Sequence, residues 1–129
     1  MLQESQNLKE ELQQLDQYRQ IVRSFMQAKG ITEVVTNPCM PAIVPDAGVD
    51  PIHVQATDQS FYLHTSPEWP MKVLLAQGSG SIYQMSSVFR DDVVGRWHRV
   101  AFTMLEWYQL GYDDSQLISS CIELFKQLG

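Results

Sequence analysis

Cysteine is scarce, basic residues are few, and long apolar runs are missing. The only two cysteines in 129 residues, Cys39 and Cys121, stand far apart with no metal-ligand spacing, so neither a disulfide scaffold nor a zinc site is expected. No window reaches the roughly 18 to 20 consecutive apolar residues of a membrane span, and the opening MLQESQNLKEEL has no signal-peptide core. A cytoplasmic location with no membrane partner is the expectation. Nine Lys and Arg against fifteen Asp and Glu leave a net charge of −6, which argues against a broad nucleic-acid-binding face. Without a repeat, low-complexity tract or linker, the chain reads as a single domain over 1–129.

What is present is a globular composition, 44% hydrophobic and 19% charged. The basic residues are unevenly placed: Arg90, Arg96 and Arg99 fall within ten positions, beside His98. In an acidic chain that is a candidate anion site, although on charge alone a solvated loop accounts for it.

Apolar positions Leu8, Leu12, Leu15, Tyr18, Val22 and Phe25 step by three or four. They predict a helix over 8–29, with Asn7 as N-cap and Gly30 as terminator, whose stripe must be covered by its own domain or by a partner subunit. A β-branched run predicts a strand over 31–36, and four prolines predict an irregular loop over 38–51. Residues 52–57 and 61–64 read as a hairpin, and Thr65-Ser66-Pro67 as the hydroxyl-capped start of a second helix ending by Gly78. Strands follow over 82–89 and 102–110, separated by a loop over 90–99. A last helix from Asp113-Asp114 is expected to bury Leu117, Ile118, Cys121, Ile122 and Phe125. Strands joined by a ten-residue loop are most simply antiparallel neighbours, so the fold class is α+β, an antiparallel sheet with flanking helices.

Strand alternation puts Phe102, Met104, Glu106 and Tyr108 on one face of the segment 102–110. Glu106 is the anomaly, because a carboxylate among large apolar neighbours is costly without a cation or donors. The plain alternative is an ion pair with a lysine or arginine of its own chain. The functional reading is a pocket in which Glu106 and Tyr108 receive a cationic ligand while Phe102 offers a ring for stacking. A guanidinium at a strand end, Arg90, with Arg96 and His98 on the return, suits a phosphorylated ligand.

The run YLHTSPEWPMKVLLAQGSGSIYQMSSVFRDDVVGRWHRVAFTMLEWYQLGYD resembles the motif 2 region of class II lysyl-tRNA synthetases, and is most similar to their shorter relatives, the elongation factor P lysine ligases. RQIVRSFMQAKGITEVVTNPCM resembles motif 1, a dimer-interface helix followed by a strand ending in proline. TSPE, FR, GRWH and FTMLEWY occur in the family's order and spacing. Motif 1 is placed at about 18–40 and motif 2 at about 82–110. Cys39-Met40 after the motif 1 proline, the Gly95-Arg96-Trp97-His98 spacing, and the short stretch before motif 1 favour the ligase over the synthetase, so tRNA is the less favoured partner.

The resemblance implies a partial class II aminoacyl-tRNA synthetase catalytic domain that activates lysine or β-lysine with ATP. The amino-acid carboxylate attacks the α-phosphorus to give the aminoacyl-adenylate and pyrophosphate, with Mg2+ on the phosphates. A lysine amine of elongation factor P then takes the acyl group and releases AMP. Arg90 would act at the α-phosphate, Phe102 would stack on adenine, and Asp92 would stand where the family reads the adenine amino group. His98, with Arg96, would lie near the outer phosphates. Glu68 would hold the α-side ammonium, Glu106 and Tyr108 the distal one. No protein metal ligand is implied, and motif 1 implies a homodimer through the first helix.

Several positions depart from the family pattern. Asp92 replaces a glutamate, Arg99-Val100-Ala101 replace asparagine, proline and glutamate, and Asn37 separates the motif 1 threonine from its proline. The glycine-rich motif 3 is not found. The expectation is therefore a truncated or divergent ligase. The alternatives are a lysyl-tRNA synthetase catalytic-domain fragment or a non-catalytic, synthetase-derived dimerisation module.

Overall fold

The apolar stripe expected over 8–29 belongs to a longer helix, α1 (Leu2–Ala28), in a computed structural model that describes residues 2–43, 46–92, 95–96 and 98–129. Asn7 is therefore inside the helix rather than at its cap. The far end is as expected: Gly30 adopts φ 70°, and the Gly30 and Ile31 amides donate to the Gln27 and Met26 carbonyls at 3.0 and 2.9 Å. That pair of bonds is a Schellman stop, which needs a residue free to take positive φ. Its apolar seal is Ile31 against Met26, both buried.

The chain forms two compact units, one of Met1–Thr32 with Gln109–Gly129 and one of Glu33–Tyr108. In the first, α1 packs with α3 (Asp114–Leu128). Lys29 pairs with Glu123 and lies 5.0 Å from the Phe25 ring centroid. Asp113 caps α3 in a reciprocal box: its carboxylate accepts from the Gln116 amide at 2.8 Å, and its own amide donates to the Gln116 side chain at 2.9 Å. The face of α3 differs from expectation. Ser120 and Leu124 are the buried positions, whereas Ile118, Ile122 and Phe125 are 59, 49 and 71% exposed, Leu117 lies on the exposed side and Cys121 is half-buried. Apolar content marked the wider stripe, but a small hydroxyl residue takes one of the two buried positions. The α1 stripe divides likewise, with Val22, Phe25 and Met26 buried and Leu8, Leu12, Leu15 and Tyr18 exposed.

The second unit carries two three-stranded sheets. The first has the order β1 (Thr32–Glu33), β5 (Ile82–Phe89), β6 (Ala101–Tyr108), with β5 and β6 antiparallel in the register Gln84↔Glu106 and Val88↔Phe102. The second has the order β2 (Cys39–Met40), β4 (Ser60–Leu63), β3 (His53–Gln55). The expected hairpin is the β3–β4 pair. The expected strand over 31–36 is only two residues long. Beyond Val34, whose amide reaches the Tyr83 carbonyl at 2.8 Å, the Thr36 amide and hydroxyl both donate to the Gln84 side chain at 3.1 Å instead of continuing a ladder.

The proline-rich stretch also contains a strand that was not expected, because Cys39 and Met40 pair with Leu63 and Tyr62 between flanking prolines. Pro45 in that stretch lies outside the described residues. Helix α2 (Glu68–Ala76) begins after Pro67, which is the N-cap without a side-chain bond. The hydroxyl expected at the helix start is nevertheless supplied by Ser66, which accepts from the Glu68 amide at 3.0 Å. Pro70 falls in the first turn and does not break it. No helix among the described residues is long and apolar enough to cross a membrane.

Candidate active site

The register of β5 and β6 fixes the site's plan. Residues directly opposite in an antiparallel pair share a face, so Gln84, Ser86 and Val88 line up with Glu106, Met104 and Phe102. Phe102 and Glu106 are four residues apart on one strand, about 13 Å. One face therefore carries an aromatic ring near one end and a carboxylate near the other.

At the acidic end, both Glu106 oxygens accept hydroxyl bonds, from Ser66 at 2.7 Å and from Tyr108 at 2.9 Å. The ion pair considered for Glu106 does not form among the described residues. The Ser66 hydroxyl also accepts from the Glu68 amide at 3.0 Å, tying the start of α2 to β6. Burial, then the hydrogen bond to Glu106, then the charges of Glu106 and Glu68 raise the Tyr108 phenol above its ordinary value of 10.0. Glu68 is paired with Lys72 one helical turn on, in an exposed contact that is worth only about 0.3–0.5 kcal/mol.

At the basic end, Arg90 follows β5. Its guanidinium sits 5.2 Å from the Phe102 ring centroid, and its Nε donates to the Thr65 carbonyl at 3.4 Å. Its backbone amide is held by Val100 at 2.9 Å.

A cavity of about 310 Å³ lies between Arg90 and the start of α2. Arg90, Asp46, Glu68, His64, Thr65 and Ser66 supply its polar lining, with Trp69 and Met40 among its apolar walls. Glu106, Tyr108 and Phe102 do not line it. The first two connect to it through Ser66, and Phe102 connects through Arg90. The loop residues are not gathered in: Asp92 is half-buried outside the cavity, while Arg96 and His98 are exposed. Trp97, in the quoted GRWH, lies outside the described residues. Among the described residues no three His, Cys, Asp or Glu side chains converge as a metal-ligand set. The described side chains do not by themselves make a magnesium site.

Three polar residues of the cavity have no such role legible in the sequence. Asp46 falls in the proline-rich stretch. Ser66 reads there only as a helix cap, and its bond to Glu106 spans forty residues. His64 follows β4 and reaches a carbonyl on β5. The hydroxyl beside a helix-start glutamate was the available clue for Ser66; none marks His64.

The family model for class II tRNA synthetases (D, K and N) matches residues 1–128. A protein of Hamiltonella defensa named elongation factor P (R)-β-lysine ligase is 41% identical over 114 residues, covering 83% of this chain and 35% of the relative. Proteins of the same name from Yersinia enterocolitica and Erwinia tasmaniensis are 40% and 41% identical over 113 residues with the same coverage. The chain thus spans about a third of the length of these curated relatives.

Proposed function

Since this chain belongs to the class II tRNA synthetase (D, K and N) family, we propose that it carries the nucleotide and amino-acid contacts of an ATP-dependent lysine or β-lysine ligase acting on elongation factor P. The names of its relatives favour β-lysine. The observation that carries the reading is a single sheet face with a cation on a ring at one end and an acid held only by hydroxyls at the other. Among the described residues no cation of the chain competes with a ligand ammonium for that carboxylate.

In this reading the distal ammonium takes the acceptor sites that Ser66 and Tyr108 leave open on Glu106, while those two hydroxyls fix the carboxylate's orientation. The α-side ammonium takes Glu68, exchanging one exposed ion pair with Lys72 for another at little cost. Arg90 leaves the Phe102 ring for the α-phosphate. A cation–π contact is worth about 0.5–1 kcal/mol when exposed and about 2 kcal/mol when desolvated, and this one is half-buried; a guanidinium gripping a phosphate makes two charge-assisted hydrogen bonds, each worth about 1.5–3 kcal/mol, so phosphate wins and the ring is freed for adenine.

As the amino-acid carboxylate attacks the α-phosphorus and pyrophosphate leaves, the charge on the phosphoryl oxygens grows and Arg90 opposes it. The acceptor lysine amine then attacks the acyl carbon and AMP departs. No protein side chain forms a bond in either step, so the contribution is positioning and electrostatics. Asp92, Arg96 and His98 join the adenine and outer phosphates only when the loop carrying them folds inward. Magnesium, implied by the family, would be held chiefly by the phosphates. The exposed Leu8, Leu12, Leu15 and Tyr18 are the surface through which α1 pairs with a second copy. A non-catalytic module would use that same surface, and Asp92 with Ala101 in place of two family glutamates favours it as the second reading. The setting we propose is the cytoplasm.

Calorimetric titration of ATP into the chain and into Arg90→Ala tests the reading. We expect the substitution to weaken ATP by about 10- to 100-fold. Equal binding would remove Arg90, and with it the nucleotide end, from the proposal.

A further inference from the structure

β1 ends after Glu33, so among the described residues the far half of the β5 edge has no strand beside it. An unpaired carbonyl or amide there would be costly if buried, and it would leave the strand end that carries Arg90 held from one side only. His64 supplies the missing side. Its Nε2 lies 2.8 Å from the Ser87 carbonyl and must donate to it, since a carbonyl only accepts. Its own carbonyl accepts from the Phe89 amide at 3.0 Å, its amide donates to the Pro38 carbonyl at 2.9 Å, and the next residue's carbonyl receives Arg90 Nε. The ring is 4% exposed, and its Nδ1 is buried with no partner. The Nε2 bond is therefore the imidazole's only polar anchor.

We propose that His64 is a positioning residue for Arg90: its imidazole holds the Ser87 carbonyl, three residues before Arg90, while its backbone carbonyl holds the Phe89 amide, so the ring and main chain together brace the strand end that carries the guanidinium. This rests on the reading of Arg90 as the phosphate contact. The acidic end does not depend on it, because Glu106 and Glu68 are tied to Ser66 and Tyr108. Loss of His64 thus weakens nucleotide binding and spares amino-acid binding, which a general loss of packing would not do.

The test is a ladder of side chains. His64→Gln places an amide nitrogen near the Nε2 position, His64→Asn places one only as far as Nδ1, and His64→Leu keeps volume without a donor. Two measurements are made on each: hydrogen exchange of the Phe89 amide and Arg90 Nε–H by NMR, which needs no ligand, and calorimetric binding of ATP and of lysine. We expect the Gln variant to match the parent within about twofold, and Asn and Leu to exchange faster and bind ATP at least about fivefold more weakly, with lysine unchanged; misplacement by about 1 Å can cost as much as 10²-fold. If Leu does not fold, Gln against Asn decides alone. Gln and Asn behaving alike, or ATP and lysine weakening together, would overturn the assignment. Arg90→Ala without effect on ATP would instead overturn the nucleotide reading while the exchange data still judge the clamp.

Discussion

The two ends of the candidate site differ in how far they are assembled without a ligand. Glu106 is fixed by hydroxyls on both oxygens, and one of those hydroxyls also fixes the helix that presents Glu68. Arg90 rests on an aromatic ring, and Arg96 and His98 stand exposed. Order follows from covalent economy at the acidic end: short side chains on paired backbone meet with few rotors to freeze. At the basic end, a long guanidinium with many rotors rests on a ring rather than on a charged partner. Under the proposed assignment, the amino-acid and nucleotide ends should respond differently to the same perturbations.

The largest expected effect is on the preformed end. Glu106→Gln keeps the shape and removes the charge, and truncating a desolvated charge pair costs about 2–5 kcal/mol. Lysine or β-lysine binding should therefore weaken about 30- to 5000-fold, with ATP within about twofold, read by calorimetry. Unchanged amino-acid binding would break the comparison outright. Salt should sharpen it next. Raising sodium chloride from about 50 to about 500 mM should weaken ATP by roughly tenfold and lysine by less, since exposed charges are screened more than half-buried ones.

Tyr108→Phe removes one neutral-to-charged hydrogen bond and should weaken amino-acid binding by about three- to tenfold. It also carries a pH signature. The folded phenol titrates above its ordinary 10.0, so the unfolded chain loses that proton first as pH rises. The stabilisation is complete below about pH 10 and is lost as pH climbs toward the folded value. Denaturant melts should show stability falling above pH 10, with a shallower fall in Tyr108→Phe. A parallel fall in both would mean that another group governs the alkaline limb. The smallest effect is expected at Asp92→Glu, where a longer carboxylate should tighten ATP by about two- to threefold; a loss instead would show that Asp92 does not face the adenine.

Much of this arrangement was legible before the fold. Alternation along β6 placed Phe102, Glu106 and Tyr108 together, and the Glu106–Tyr108 hydrogen bond follows from that parity. Gly30 and Asp113 marked helix ends because positive φ and a short acceptor have few other uses. The misses share a cause: β2 owes its existence to a partner more than twenty residues away, not to its own two residues, which prolines flank. The buried side of α3 was set by where α1 lies, so Ser120 went inside and Ile118 and Phe125 did not. His64 and Ser66 gain their roles through bonds to β5 and β6 that no local pattern encodes.

Local periodicity and capping chemistry, acting over a few residues, determined the helices, the long strand pair and which side chains share a face. The meeting of Ser66 with Glu106 and of His64 with Ser87 belongs to the tertiary structure alone. Those contacts join segments whose separation along the chain carries no geometric information until the sheets form.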